Sequence, residues 1–451
     1  MNDRAIERIR LVSGHVASRG ASASEDDGCG PLAAAPASSL MASALGASNF
    51  PQCSTAAAFP EAKHDTLFFD DFLQPEEKAV RHRVRAVMER EVAPVIAGYW
   101  ERAEFPFQLV PKLREMNVGG LFFKDHCSTG VSLMSGFMAV VEMARVDTSI
   151  STFLMVHGML AGITIALFGS EEQKRELVPK MSNLDLIGCW ALTEPDQGSD
   201  ASALTTMATR VPGGWQLNGR KRWIGNATFA DVAVIWARNA ESGQVNAFLV
   251  RKGTPGYHTK KIENKIALRC VQNADIHLDN VFVPDSARLP GVHSFRETGK
   301  ILAISRIAVG WQPVGIAAGV YDMCLRYLKQ RRQFGTQLAS FQLAQEKLSR
   351  MLGNIQAMWL MSWRLTKLQE EGRMTHGTAS MVKAWNTLRC RETVALGREL
   401  LGGNGIVTDF HVAKAFCDLE AIYTYEGTYD INALVAAREA TGISAVKAAA
   451  R

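Results

Sequence analysis

The spacing of apolar and polar positions changes character three times along the 451-residue chain. From Pro75 the apolar residues recur at helical spacing, with Val80, Val84, Val87 and Met88 on one face. Pro75 suits a first helical position, and Glu76 and Glu77 suit the positive end of the helix dipole. Asn117-Val118-Gly119-Gly120 closes a later helix, and further helical segments are expected from about Leu133 to Met181. Near Leu186 the pattern turns to short β-branched and aromatic runs between Gly, Pro and Asn breaks. Val232–Trp236, Ala247–Val250 and Ile276–Leu278 read as strands. Trp215-Gln216-Leu217 followed by Asn218-Gly219 carries the strongest short hairpin signal. From about residue 296 to 445 helical spacing returns, first in a long segment with a kink expected at Pro313. Further helices are expected near 340–372 and 377–401, the last stopped by Gly402-Gly403-Asn404-Gly405.

The fold expected is therefore α+β: a helical domain over 64–185, a small β-barrel domain over 186–290, and a helical domain over 291–451 built as a four-helix bundle. Residues 1–63, rich in Ala, Ser and Gly, read as a disordered leader. Within it, Arg8-Ile9-Arg10-Leu11-Val12-Ser13-Gly14-His15-Val16 resembles the N-terminal peroxisomal targeting nonapeptide, departing at Val16. The alternative is a mitochondrial presequence and the matrix, against which Asp3 and Glu7 count. The terminal Ala449-Ala450-Arg451 is not a Ser-Lys-Leu signal.

Composition narrows the function. Apolar residues make up 47% and charged residues 21%, ordinary for a globular enzyme. A net charge of +5 without a basic block argues against nucleic-acid binding. Eight cysteines without a C-x-x-C pair argue against zinc and against a disulfide framework, and for a reducing compartment. No apolar run approaches the ~18–20 residues of a membrane span.

Four stretches carry candidate chemistry. In Tyr423-Thr424-Tyr425-Glu426-Gly427-Thr428-Tyr429-Asp430 a carboxylate sits among three tyrosines, where desolvation would raise its pKa towards the range a general base needs. In Leu192-Thr193-Glu194-Pro195-Asp196-Gln197-Gly198-Ser199-Asp200, Thr193, Gly198 and Ser199 offer hydroxyls and an unhindered N–H to a pyrophosphate or a heterocycle edge. Lys221-Arg222-Trp223-Ile224-Gly225-Asn226 places a tryptophan at a strand end, where it can cover a planar ring. Arg331-Arg332-Gln333-Phe334-Gly335, followed by Gln342, offers cations and an aromatic edge.

In this order, along a helix–β–helix chain, the stretches resemble the acyl-CoA dehydrogenase/acyl-CoA oxidase family from about Phe69 to Ser444. Glu399, Gly402, Gly403, Gly405, Ile406, Asp409, Lys414 and Asp418 match one family signature, while the other departs at Gln197. Within the family, Gly188-Cys189-Trp190, Arg222–Asn226, Leu401–Ile406 and Tyr425–Thr428 are most like the plant peroxisomal short-chain acyl-CoA oxidase, with glutaryl-CoA dehydrogenase next.

The resemblance implies FAD as cofactor and Glu426 as the base that removes the α-proton of an acyl-CoA thioester. It implies flavin or pyrophosphate contacts at Trp190, Leu192, Thr193, Gly198, Ser199, Trp223 and Gly225, with Gly402, Gly403 and Thr428 as further FAD contacts. Arg331, Phe334 and Gln342 match FAD contacts donated by a neighbouring subunit, hence a homotetramer or homodimer. Arg306, Ser199 and Gly427 fall at the substrate. Ala144 and Ser151 stand where glutaryl-CoA dehydrogenase carries its carboxylate-binding arginine and a nearby glutamate, which argues against glutaryl-CoA. Gly225 replaces a hydroxyl residue common in the dehydrogenases and is expected to open space beside the ring. The expectation is thus an acyl-CoA oxidase that forms trans-2-enoyl-CoA from a short- to medium-chain substrate and passes electrons to O2, giving H2O2. The alternatives are a dehydrogenase serving electron-transfer flavoprotein and a catalytically silent flavin or acyl-CoA binder.

Overall fold

The structure, a computed structural model, describes residues 50–122 and 132–445. The Arg8–Val16 nonapeptide and the C-terminal tripeptide lie outside the described residues. The chain divides into Met1–Pro51, of which only Phe50 and Pro51 are described, and Gln52–Arg451, which carries the fold.

The N-terminal helices are α1 (Pro75–Val87), α2 (Ile96–Arg102), α3 (Val110–Glu115), α4 (Leu133–Val146), α5 (Thr148–Leu154), α6 (Ile163–Phe168) and α7 (Glu171–Ser182). Pro75 opens α1, and Gln74 and Glu77 close a capping box around its first turn. Val80, Val84, Val87 and Met88 are all buried. On α4 the carboxylate of Glu142 accepts from Arg81 at 2.9 Å and Arg85 at 2.8 Å. Against the cost of burial, Arg85, Arg81 and Arg145 hold that carboxyl well below the usual carboxylate range. Between α5 and α6, Met155–Gly162 is a π-helical segment, a widened turn often found where a helix lines a functional site.

The middle strands are β1 (Gly188–Ala191), β2 (Met207–Val211), β3 (Gly214–Ile224), β4 (Val232–Asn239), β5 (Val245–Arg251), β6 (Tyr257–Lys261) and β7 (Ala274–Pro284). They form one sheet in the order β1-β4-β2-β3-β7-β6, with β5 paired to β4. Alternate residues serve two cores. Val232, Val234 and Trp236 of β4 pack with α6 and α7, while Ala233, Ile235 and Ala237 face a second core with Leu217, Ile276 and Val281. Burial on both faces explains why β4 reads as an unbroken apolar run.

The hairpin expected at Asn218-Gly219 is not there. Strand β3 runs straight through both residues, and its register with β7 slips between Leu217 and Gly219. The turn lies one strand-length earlier, where Val211 pairs with Gly214. Gly219 is needed for a bulge instead: a Cβ on it would lie 2.7 Å from Cα of Thr206.

The C-terminal helices are α8 (Phe295–Gln330), α9 (Gln342–Glu370), α10 (His376–Leu400), α11 (Val412–Thr424) and α12 (Tyr429–Thr441). Pro313 lies inside α8, which continues through it as one helix rather than breaking. α8 packs on α9, α10 and α4. Gly319 allows that close crossing, since a Cβ there would meet the carbonyl oxygen of Arg145 at 2.0 Å. Thr148–Phe168 and α8 are each long and apolar enough to cross a membrane, but both are mostly buried inside the protein, as core helices are.

The leader reading also needs a correction. Residues 52–63 lie along α8: Arg326 donates to the carbonyls of Ser54 and Thr55, and Lys63 N–H donates to Asp322 at 2.8 Å. Buried Asp322 and half-buried Arg326 on α8 recruit this low-complexity segment through its backbone, a partner invisible to hydrophobic periodicity.

Candidate active site

A cavity of about 300 Å³ opens between the strand ends, the π-helical segment, α8 and the loop joining α11 to α12. Strand β1 and the chain after it supply Trp190, Leu192, Thr193, Gly198 and Ser199 to its wall. The end of β3 supplies Trp223 and Gly225, α8 supplies Arg306, and the α11–α12 loop supplies Glu426 and Gly427. Ten of the sequence-derived candidates thus meet in one place.

Glu426 sits at φ 55°, a left-handed conformation unusual for glutamate. Its Oε2 is buried and has no hydrogen-bond partner among the described residues. Burial pushes the carboxyl up from its ordinary value, partly opposed by the Arg306 guanidinium, the Ser305 hydroxyl and Lys383. The desolvation does not come from a cage of three tyrosines. Tyr423 and Tyr429 stack on each other 5.6 Å apart, and Arg391 caps Tyr423 at 4.3 Å. Only Tyr425 lines the cavity, and its hydroxyl donates to Gln312.

The loop bearing Glu426 is tied down through its carbonyls. Arg306 Nε donates to the carbonyl oxygen of Glu426 at 3.3 Å. Lys383 Nζ donates to those of Tyr423 at 3.1 Å and Gly427 at 2.8 Å. Asn432 Nδ2 donates to Gly427 at 2.7 Å and Thr428 at 3.1 Å. Gly427, at φ 89°, leaves room for Asn432, whose Nδ2 lies 2.9 Å from where a Cβ would stand. The N–H of Glu426 meets no acceptor among the described residues.

Opposite, Trp223 leaves 52% of its surface exposed at the end of β3. Open space surrounds Gly198. Trp190 is fixed by a 3.1 Å hydrogen bond to Thr164. The loop from Thr193 is braced by buried Glu194, which accepts from Lys221 at 2.8 Å and from the N–H of Thr206 at 2.9 Å. Despite burial, Lys221 holds the Glu194 carboxyl down at about 2, while burial brings Lys221 itself to about 8.

Gly225 opens less room than expected. Cγ2 of Val156, on the π-helical segment, lies 3.1 Å from where its Cβ would be. Behind the cavity wall, buried Gln312 Nε2 donates to Thr152 at 3.0 Å and Ser151 at 3.3 Å. Ala144 is fully buried, and the neighbouring Arg145 is spent on Asp322, Glu89 and Pro60 O. Among the described residues lining the cavity, Arg306 is the only cation.

The other candidates lie elsewhere. Arg331 ends α8, and Phe334, 95% exposed, tips a small hairpin just before Gln342. Gly402 and Gly403 are exposed beyond α10, and Thr428 caps α12 through its hydroxyl. None of these six lines the cavity.

Lys383, Asn432, Gln312 and the Glu194–Lys221 pair escaped the sequence reading. The only signal for Lys383 is a cation on the apolar face of Ala379-Ser380-Met381-Val382-Lys383-Ala384.

With this geometry in place, comparison with known proteins assigns the class. The chain belongs to the acyl-CoA dehydrogenase family: the family's N-terminal, middle and C-terminal domains match residues 74–185, 189–281 and 295–441. It is 31% identical to an acyl-CoA dehydrogenase of Bacillus subtilis over 373 residues, 81% of this chain and 98% of that protein. It is 30% identical to the mitochondrial short-chain specific acyl-CoA dehydrogenase of Rattus norvegicus, over 82% of this chain and 92% of that protein. A crystal structure of a glutaryl-CoA dehydrogenase from Mycobacterium smegmatis in complex with FADH2 superposes with a TM-score of 0.82 at 30% identity, covering 87% and 100% of the two chains. These relatives are dehydrogenases and lend the expected likeness to plant peroxisomal oxidases no support.

Proposed function

We propose that the protein is a FAD-dependent acyl-CoA dehydrogenase that acts on short- to medium-chain acyl-CoA and passes its electrons to an electron-transfer flavoprotein. The observation that carries this reading is the buried, unpartnered Oε2 of Glu426, facing a cavity that Trp223, Thr193, Gly198 and Ser199 also line. Both halves fit what FAD asks of a protein: an exposed indole for a planar ring, and hydroxyls beside an uncrowded glycine for a pyrophosphate. Phe334 on its exposed hairpin, with Arg331 and Gln342, has the placement that donation to a neighbouring copy requires, so a homo-oligomer is part of the proposal.

The α C–H of a thioester is too weakly acidic for a carboxylate unless the carbonyl oxygen is polarised. Glu426 supplies both functions from one residue. Its free N–H serves the thioester oxygen, and its carboxylate, raised by burial, takes the α-proton. FAD, when bound, supplies the acceptor for the hydride that leaves Cβ. The product is a trans-2-enoyl-CoA.

Glutaryl-CoA fits poorly, because the cavity wall at Thr152 and Tyr425 is backed by the neutral Gln312, and among the described lining residues the one cation, Arg306, is bonded to the Glu426 carbonyl and Ser380. The oxidase reading retains one observation: Gly225 offers no hydroxyl beside the ring. Val156 narrows the space that reading relied on. The relatives are mitochondrial and bacterial, which supports the mitochondrial matrix over the peroxisome.

The test is to reduce the enzyme anaerobically with straight-chain acyl-CoAs, then offer electron-transfer flavoprotein or O2. Rapid reoxidation by the flavoprotein with little peroxide is expected; fast, stoichiometric H2O2 would overturn the choice of acceptor.

A further inference from the structure

Lys383 is fully buried on α10, yet among the described residues its ammonium forms no ion pair. A buried cation without a carboxylate partner is costly, and a methionine would pack in the same volume. What it does hold is main chain. Its two acceptors, the carbonyls of Tyr423 and Gly427, bracket Glu426 from either side. One turn earlier on the same helix face, Ser380 accepts from Arg306 Nη1 at 3.2 Å, and Arg306 Nε in turn reaches the carbonyl of Glu426. Helix α10 thereby controls both the loop and the cation that faces it.

We infer that Lys383 is the positioning residue of this site: it holds Glu426 at its left-handed main-chain angle and sets the electrostatic environment in which the carboxylate takes its proton. The inference rests on Glu426 being the base. The charged and titratable groups facing that carboxylate are Arg306 from α8, Lys383 from α10 and Tyr425 beside it in the loop. Burial brings Lys383 down to about 7, while Glu426 opposes that shift and Arg306 adds to it. Below that pH Lys383 is protonated and stabilises the carboxylate.

The experiment compares K383M, K383Q and K383R with the parent holoenzyme, measuring flavin content, kcat, KM and the pH dependence of kcat/KM. K383M and K383Q should keep their flavin and lose about 10–100-fold in kcat with little change in KM, because a misplaced base costs rate rather than binding. Their acid limb should move up by about one pH unit, a tenfold loss at pH values below it. K383R keeps the charge and should leave the limb at its parent position. If K383M loses flavin, K383Q carries the same comparison with a smaller change in polarity. The inference is overturned if the neutral variants keep the parent limb and kcat, or if K383R moves the limb as far as they do. An E426Q control that is inactive while the Lys383 variants behave as the parent would sink this inference alone; an E426Q that turns over would sink the underlying assignment.

Discussion

Val156 crowds the place where a side chain on Gly225 would begin, its Cγ2 3.1 Å from the missing Cβ. The glycine thus exchanges a hydroxyl for close contact with the π-helical segment, not for empty space. If that contact restrains O2, Val156→Ala should raise the rate at which the reduced enzyme reacts with O2, by about threefold or more. Mixing anaerobically reduced enzyme with aerated buffer and following flavin and peroxide checks this. Gly225→Thr alone should lower flavin content through the clash with Val156, and the double variant with Val156→Ala should recover it.

Tyr425 lines the cavity, and its hydroxyl donates to the fully buried Gln312 behind it. Tyr425→Phe leaves Gln312 Oε1 without its donor, at a cost of about 1–3 kcal/mol in unfolding free energy. It also makes that wall less polar. The ratio of kcat/KM for a substrate one or two methylenes longer should rise by roughly 10-fold, within the range one methylene contributes in a pocket. A chain-length series in both proteins measures it.

His157 joins the π-helical segment to β1. Its Nδ1 accepts from the N–H of Gly188 at 3.0 Å and its Nε2 faces the carbonyl of Met181 at 2.9 Å, so the ring must be neutral with its proton on Nε2. Burial depresses its pKa to about 4 from 6.5. The unfolded chain therefore binds the proton more readily than the folded one. The contribution is fully present above pH 6.5 and is lost as pH falls towards 4, amounting to roughly 3 kcal/mol. Denaturant titrations at pH 7.5, 5.5 and 4.5 should show that fall, and His157→Gln should flatten it.

Much of this was legible in the sequence because it rests on local pattern. The valine face of α1, the strand at Val232–Trp236 and the turn residues around Gly402 all announce themselves within ten residues. Asn218-Gly219 misled for the same reason: the dipeptide permits a turn, but pairing with β7 decided that it would be a bulge. Glu426 was found among its tyrosines, although two of those rings turn away and stack on each other. Lys383 and Gln312 were not legible, because their partners lie 40 to 160 residues away and only the packed helices bring them to the site. Val156 was missed because nothing in an apolar helix says which methyl will face a distant glycine.

The most direct test of the account is Glu426→Gln, studied by anaerobic stopped-flow reduction of the bound flavin with a straight-chain acyl-CoA. The substitution keeps size and polarity and removes only the proton acceptor. The variant should hold FAD at the parent stoichiometry and still bind acyl-CoA, while flavin bleaching slows by about 10²–10⁴-fold. Bleaching at the parent rate would contradict the assignment of the base and, with it, the mechanism built on this cavity.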